Sequence, residues 1–186
     1  TKAFLCRAMA RLAHDEGLLL DVATGGELFV ALSAGVPAER CVLHGNNKSL
    51  DELLMALTAG VRHVVVDSFD ELDRLDALRA EGLPRPRVQV RVTPGIHAHT
   101  HEYIATGQND SKFGFNLANG DALRAIERVR ASGVAELVGV HCHIGSNVFD
   151  ASSFARAAEV MARFVQPLDL PELTLGGGLG VAYLAD

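Results

Sequence analysis

The sequence predicts an α/β fold with a parallel sheet, and within that class a (β/α) TIM barrel over an open doubly wound sheet. Three observations predict it. Short apolar runs alternate with stretches of helical period along nearly the whole chain. Ser/Thr-x-x-Glu boxes open the helices at Thr24, Ser49 and Ser68. Polar residues stand at almost every strand end, where a barrel gathers its functional groups on one rim.

The elements follow in order. Ala3 to His14 reads as a helix, and Leu18 to Val22 as a short strand. Thr24-Gly25-Gly26-Glu27 caps the next helix. Cys41-Val42-Leu43-His44 is a second strand, and Ser49-Leu50-Asp51-Glu52 a second capping box. The helix it opens puts Leu50, Leu53, Leu54, Leu57 and Val61 on one face. His63 to Val66 is a β-branched strand. Ser68-Phe69-Asp70-Glu71 is the third box, and Leu72, Leu75 and Leu78 line its helix. Arg87 to Val92 alternates as a strand. Ala122 to Val129 is helical, with Leu123, Ile126 and Val129 inward. Glu136 to Val140 is a strand. From Phe154 through Ala157, Ala158, Met161, Phe164, Val165 and Leu168 the period is helical, and Leu173 to Leu175 is the last strand.

Composition narrows the partners. The chain has 186 residues, 48% of them hydrophobic, enough for an ordinary domain with a real core. Its net charge of −6 argues against nucleic acid, whose phosphates need a basic surface. No apolar run is long enough to span a bilayer, so no membrane role is expected. The three scattered cysteines, Cys6, Cys41 and Cys142, fit a reduced, cytoplasmic chain. The chain starts at Thr1, without Met, at what reads as the end of a strand, so a piece of a longer protein is expected. No linker or low-complexity segment points to a second domain, and residues 1–186 are read as one.

The strand ends carry Lys2, Asp21, His44 to Asn47, Asp67 with Ser68, Arg91, His141 to Ser146, and Gly176 to Gly178. A lysine, an arginine, imidazoles, carboxylates and a bare-backbone turn suit an anionic aromatic cofactor with an electrophilic carbonyl. Pyridoxal 5'-phosphate is such a group. Glycines let backbone N–H groups converge on a phosphate. His97, His99 and His101 alternate, yet no carboxylate or cysteine completes a ligand set, and no metal is expected. Cys142 reads as a small buried hydrophobe rather than a nucleophile. Arg91 either touches the ligand or braces a nearby carboxylate.

Seven motifs occur together: Lys2-Ala3-Phe4, Asp21-Val22-Ala23-Thr24-Gly25-Gly26-Glu27, His44-Gly45-Asn46-Asn47-Lys48-Ser49, His99-Thr100-His101-Glu102-Tyr103, Ser111-Lys112-Phe113-Gly114, His141-Cys142-His143-Ile144-Gly145-Ser146 and Gly176-Gly177-Gly178-Leu179-Gly180. In this order, over nearly the whole chain, they resemble the barrel domain of the diaminopimelate decarboxylases. That family lies within the alanine-racemase-fold, group IV pyridoxal-phosphate-dependent decarboxylases. The Gly-Asn-Asn-Lys-Ser and His-Thr-His-Glu-Tyr stretches favour this branch over the ornithine or arginine enzymes.

The resemblance implies an alanine-racemase-type (β/α)8 barrel that lacks its first and eighth strands here. It implies catalytic roles for Lys2, as the Schiff-base lysine, and His143, which stacks on the cofactor ring. It implies cofactor-binding roles for Lys2, Asp21, Arg91, His143, Ser146, Gly176, Gly177 and Gly178. Asp21, Glu27, Asn46 and Arg91 line or brace the site. The implied reaction is decarboxylation of meso-2,6-diaminopimelate to L-lysine, the last step of lysine biosynthesis, in a cytoplasmic homodimer acting on a small amino acid. Decarboxylation of ornithine, arginine or carboxynorspermidine, racemisation, and a non-catalytic pyridoxal phosphate carrier remain the alternatives. The glutamate partner of the pyridine nitrogen, and the cysteine and tyrosine of a C-terminal β domain, lie beyond this stretch. Full activity is expected to need them.

Overall fold

Thr24, Ser49, Ser68 and Asp150 each start a helix by catching an orphan N–H group, and the strands of the first half of the chain are short and mostly buried. A computed structural model describes residues 1–96 and 112–182. Its backbone divides into two units, residues 1–89 with 129–137, and residues 90–128 with 138–186.

The first unit carries three parallel strands, β1 (Leu20–Val22), β2 (Cys41–Leu43) and β3 (His63–Val66), with Leu20 opposite Cys41 and Val42 opposite His63. All four residues of β3 are buried, as in a parallel strand covered on both faces. Helices α1 (Arg7–Asp15), α2 (Gly25–Ser33), α3 (Leu50–Ala59) and α4 (Phe69–Ala80) alternate with the strands.

Helix α1 begins at Arg7 rather than near Ala3, a correction to the sequence reading. Thr1 is fastened to the backbone of β1, its hydroxyl donating to the Asp21 carbonyl at 2.6 Å, and Cys6 is still extended. The first helical bond therefore runs from Ala10 N–H to Cys6 O. Leu50 and Leu54 are also corrected. They are exposed, because the inward arc of α3 is centred on Leu53, Ala56 and Leu57.

Two of the three capping boxes are incomplete. Ser49 accepts from Glu52 N–H while Glu52 accepts from Ser49 N–H, which closes the box of α3. At α2, Thr24 accepts from Glu27 N–H, but the Glu27 carboxylate takes Ala23 N–H at 2.7 Å. At α4, Ser68 caps as expected, while the Glu71 carboxylate turns inward to Lys48.

The second unit holds most of β4 (Arg87–Thr93) and β6 (Glu136–Cys142), with β5 (Phe115–Asn116) and β7 (Glu172–Leu175). Val92 faces Phe115 and Cys142 faces Leu175, again in parallel. Strand β5 is absent from the sequence reading. Helix α5 (Asp121–Ser132) buries Ala122, Ala125, Ile126 and Val129, and Leu123 lies outside, contrary to its predicted inward place. Ala122, Ala125, Ile126 and Val129 form the inward stripe, which leaves Leu123 off its edge. Helix α6 (Ala151–Val165) buries Ser153, Ala157 and Met161.

Glu52 joins two helix starts, accepting Ser49 N–H at 2.9 Å and Gly25 N–H at 2.8 Å. These bonds, Ser49's first, hold its carboxyl below the usual glutamate range. A depressed carboxyl stabilises the fold above its unfolded pKa, and that contribution is lost as pH falls through its folded pKa. We expect Glu52→Ala to cost about 1 kcal/mol at pH 7, the worth of a cap. Urea melts should show the gap to wild type closing as pH drops below about 4.

Candidate functional site

The second unit brings the glycine turn and the histidine turn together. Strand β6 ends at Cys142 and β7 at Leu175, and their pairing sets His143 beside Gly176. Gly176 N–H donates to the Cys142 carbonyl at 2.7 Å. A Cβ on Gly176 would stand 2.6 Å from His143 Nδ1. Gly178 has φ +95°, and a Cβ there would land on the Gly145 carbonyl oxygen. Val148 N–H donates to Gly178 O at 2.9 Å and Gly180 N–H to Val148 O at 3.0 Å, so the two turns are laced by backbone bonds. Nothing lies within 4 Å of a Cβ placed on Gly177.

Ser146 is exposed at the tip of the histidine turn, and His143 is half-buried. Beneath them Ile144 and Val148 are buried with Ala157, against Phe154 and Ile96. The underlying layer is therefore apolar, and the turns above it present backbone and imidazole. A converging bare backbone of this kind, with a hydroxyl at its edge, fits a phosphate. The residues present thus suit a phosphorylated cofactor.

Arg91 lies on β4, with its guanidinium carbon 4.7 Å from the centre of the Phe113 ring. Gly114, at φ +71°, is seated on the Arg91 carbonyl, 2.8 Å from where a Cβ would be. The Arg91 charge also reaches Cys142. Burial pushes that thiol up to about 11, and Arg91 only partly opposes the shift. Cys142 is accordingly a buried, protonated thiol, as its place in the strand predicts.

The first unit holds Lys2 and Asp21. Lys2 is exposed and follows Thr1, whose ammonium and hydroxyl both donate to the Asp21 carbonyl. The Thr1 hydroxyl oxygen also lies 2.5 Å from Glu27 Oε2, so its single proton is shared between that carboxylate and the Asp21 carbonyl. Lys2 therefore starts from a fixed point at the end of β1. The Asp21 carboxylate is 3.3 Å from His44 Nε2 on the neighbouring strand end. Asn46 lies in the turn that follows.

One buried pair escapes the sequence reading. Lys48 and Glu71 are 1% and 2% exposed and 2.8 Å apart. The Lys48 ammonium also donates to Gly45 O and Val65 O, both at 2.7 Å, so its three N–H groups are filled. Burial pushes the Glu71 carboxyl up, and the Lys48 charge opposes this. The signal was a lysine directly before the Ser49 cap, but Glu71 satisfied a capping spacing and its other use was hidden.

Among the described residues no group of three or more His, Cys, Asp or Glu is placed to hold a metal ion. His97, His99 and His101, with Glu102, Tyr103 and Ser111, lie outside the described residues. No described helix is long and apolar enough to cross a membrane.

Comparison with known proteins meets this geometry. The family model described as pyridoxal-dependent decarboxylase, pyridoxal binding domain, matches residues 1–186. The chain belongs to the pyridoxal-dependent decarboxylases. It is 50% identical to the diaminopimelate decarboxylase of Bacillus subtilis (strain 168) over 196 residues, covering 100% of this chain and 44% of that protein. It therefore spans less than half the length of that relative. The crystal structure of diaminopimelate decarboxylase from M. jannaschii with L-lysine matches at TM-score 0.86 and 34% identity, over 97% of this chain and 43% of that one. The lysine/ornithine decarboxylase of Vibrio vulnificus with cadaverine matches at TM-score 0.73 and 26% identity, over 95% and 44%. The fold expected from the sequence, part of a decarboxylase barrel, is borne out by these matches.

The glycines of the turn differ in what surrounds them, and substitution separates them. Gly178→Ala meets both a positive φ and the Gly145 carbonyl, and is expected to lose more than about 2 kcal/mol. Gly177→Ala meets open space and is expected to stay within about 0.5 kcal/mol of wild type. Denaturant melts of the two variants check this.

Proposed function

We propose that the whole protein to which this chain belongs is a pyridoxal-phosphate-dependent decarboxylase of meso-2,6-diaminopimelate, yielding L-lysine and carbon dioxide. The observation that carries the reading is the lacing of Gly176 to Gly178 over His143 and Gly145 in a chain half identical to an enzyme named for that substrate. The nearer likeness to the diaminopimelate enzymes than to the lysine/ornithine enzyme supports this substrate over a simple diamine precursor.

Bound pyridoxal phosphate supplies an electrophilic carbonyl and a cationic ring that accepts the electron pair left by departing carbon dioxide. The protein's part is binding and orientation. Gly177, Gly178 and Ser146 would hold the phosphate through backbone N–H groups and a hydroxyl, and Gly176, whose own N–H is bonded to the Cys142 carbonyl, would form the side-chain-free wall of the turn beside His143. The His143 imidazole presents a flat face to the ring, fixed from below by the seat of Gly176. Lys2 provides the primary amine that tethers the cofactor and reclaims it after turnover. Asp21 contributes a carboxylate at the strand end where Lys2 is anchored. Arg91 braces the β4 side, its guanidinium held against Phe113.

We further propose that residues 1–186 are a barrel domain completed by a C-terminal β domain, in a cytoplasmic homodimer. The assay is carbon dioxide release by the full-length protein with pyridoxal phosphate. Release from meso-diaminopimelate, with lysine as co-product, is expected, and ornithine and arginine are expected to be inert. Lys2→Ala should lower kcat by roughly a thousandfold or more and abolish borohydride-reducible attachment of the cofactor at position 2. Release from ornithine alone would move the protein to the neighbouring specificity. Attachment at Lys2 without release from any amino acid would make it a carrier.

A further inference from the structure

Lys48 ties three elements to one atom. Its ammonium holds Gly45 in its own turn, Val65 at the end of β3 and Glu71 in the first turn of α4. Its carbonyl accepts from Arg74 Nη1, one turn further along α4. The turn after β2 is thus clamped from the side chain and from the main chain.

What the clamp holds is the neighbourhood of Lys2. Gly45, at φ +115°, sits so close to the end of β1 that a Cβ would stand 2.9 Å from the Ala23 carbonyl. His44, one residue before, donates its N–H to Val22 O at 2.7 Å and places its ring 3.3 Å from Asp21. Asp21 O in turn anchors Thr1. From Glu71 through Lys48, Gly45, His44 and Asp21 to Thr1 the contacts are continuous. A buried pair is a weak source of stability, since its desolvation offsets its attraction, but a strong source of direction.

We propose that Lys48 and Glu71 are positioning residues, which set the turn after β2 and through it the place of Lys2 in the cofactor reaction. The proposal rests on the functional reading above. Removing Lys48 alone leaves a buried carboxylate uncompensated, so the informative variant is Lys48→Met/Glu71→Leu, which replaces the pair by apolar side chains of similar volume. Arg74→Met is the second variant. Its position is partly exposed, and it releases the Lys48 carbonyl while keeping the pair.

The test uses the full-length protein, free pyridoxal phosphate and borohydride trapping at Lys2, read by peptide mass, together with kcat and KM. Wild type must trap the cofactor at Lys2. If it does not, the functional reading fails and takes this inference with it. Given trapping in wild type, the double variant is expected to trap at least tenfold more slowly and to lose at least tenfold in kcat, with KM within twofold. Arg74→Met is expected to slow both two- to fivefold. Loss of the far-UV signal in the double variant leaves the decision to Arg74→Met. Wild-type trapping and kcat in every folded variant, or an equal loss in kcat and rise in KM, overturns the positioning role.

Discussion

The parallel register of each strand pair is the constraint from which the rest follows. Pairing Leu20 with Cys41 and Val42 with His63 ends β1 and β2 at one level, with Val22 opposite Leu43, and lets β3 run two residues further, so Ala23 and His44 leave the sheet side by side and Asp67 follows at the end of β3. Pairing Cys142 with Leu175 does the same for His143 and Gly176. A slip of one residue would turn Asp21 or His143 to the opposite face and separate each from its partner. Parallel strands also need crossovers, so each strand end must feed a helix start. That is why capping residues and site residues occupy the same short stretches, with Asp67 beside Ser68 and Ala23 beside Thr24.

The two units fix their strand ends by different means. In the second, backbone does it. Gly176 and Gly178 allow main chain to lie against main chain, and the bonds from Val148 and Gly180 close the lattice. In the first, side chains do it. Lys48 ties the turn after β2 to α4 through its side chain, and Glu52 ties α2 to α3. A side-chain tether costs rotamer entropy, which backbone lacing avoids. It also carries charge, which places a buried ion pair and a depressed carboxyl at this rim.

Most of the architecture was legible because it is periodic. Strand, cap and helix recur, and the β-branched run His63 to Val66 needs no partner to be recognised. The glycine turn was legible as well, since no other residue type explains its composition. Errors arose where two physical demands share one spacing. Glu71 stands three residues after Ser68, as a capping glutamate does, yet its carboxylate goes to Lys48. Leu50, Leu54 and Leu123 fit a helical period but fall off the inward arcs, which Leu53, Ala56 and Leu57 occupy in α3 and Ala122, Ala125, Ile126 and Val129 in α5. Strand β5 spans only Phe115 and Asn116, too short for any pattern, and is defined only by its pairing with Val92 and Thr93 of β4. Helix α1 starts late because Thr1 is held elsewhere, a tertiary fact with no local signature.

The triple glycine shows how far a motif can be divided into causes. Gly176 has no side chain because His143 occupies the space, and Gly178 because Gly145 does and because its backbone is left-handed. Both requirements come from the protein and would hold in any chain laced this way. Gly177 faces neither constraint: its Cβ direction is open and the residue is exposed, as Ser146 is. Folding alone therefore gives no reason for glycine at this position. A reason appears once a phosphate must approach the main chain closely enough for N–H groups to point at it, for then a methyl group would stand between donor and oxygen. The middle residue is the one whose identity speaks for a ligand, and its neighbours are the ones that hold it in place.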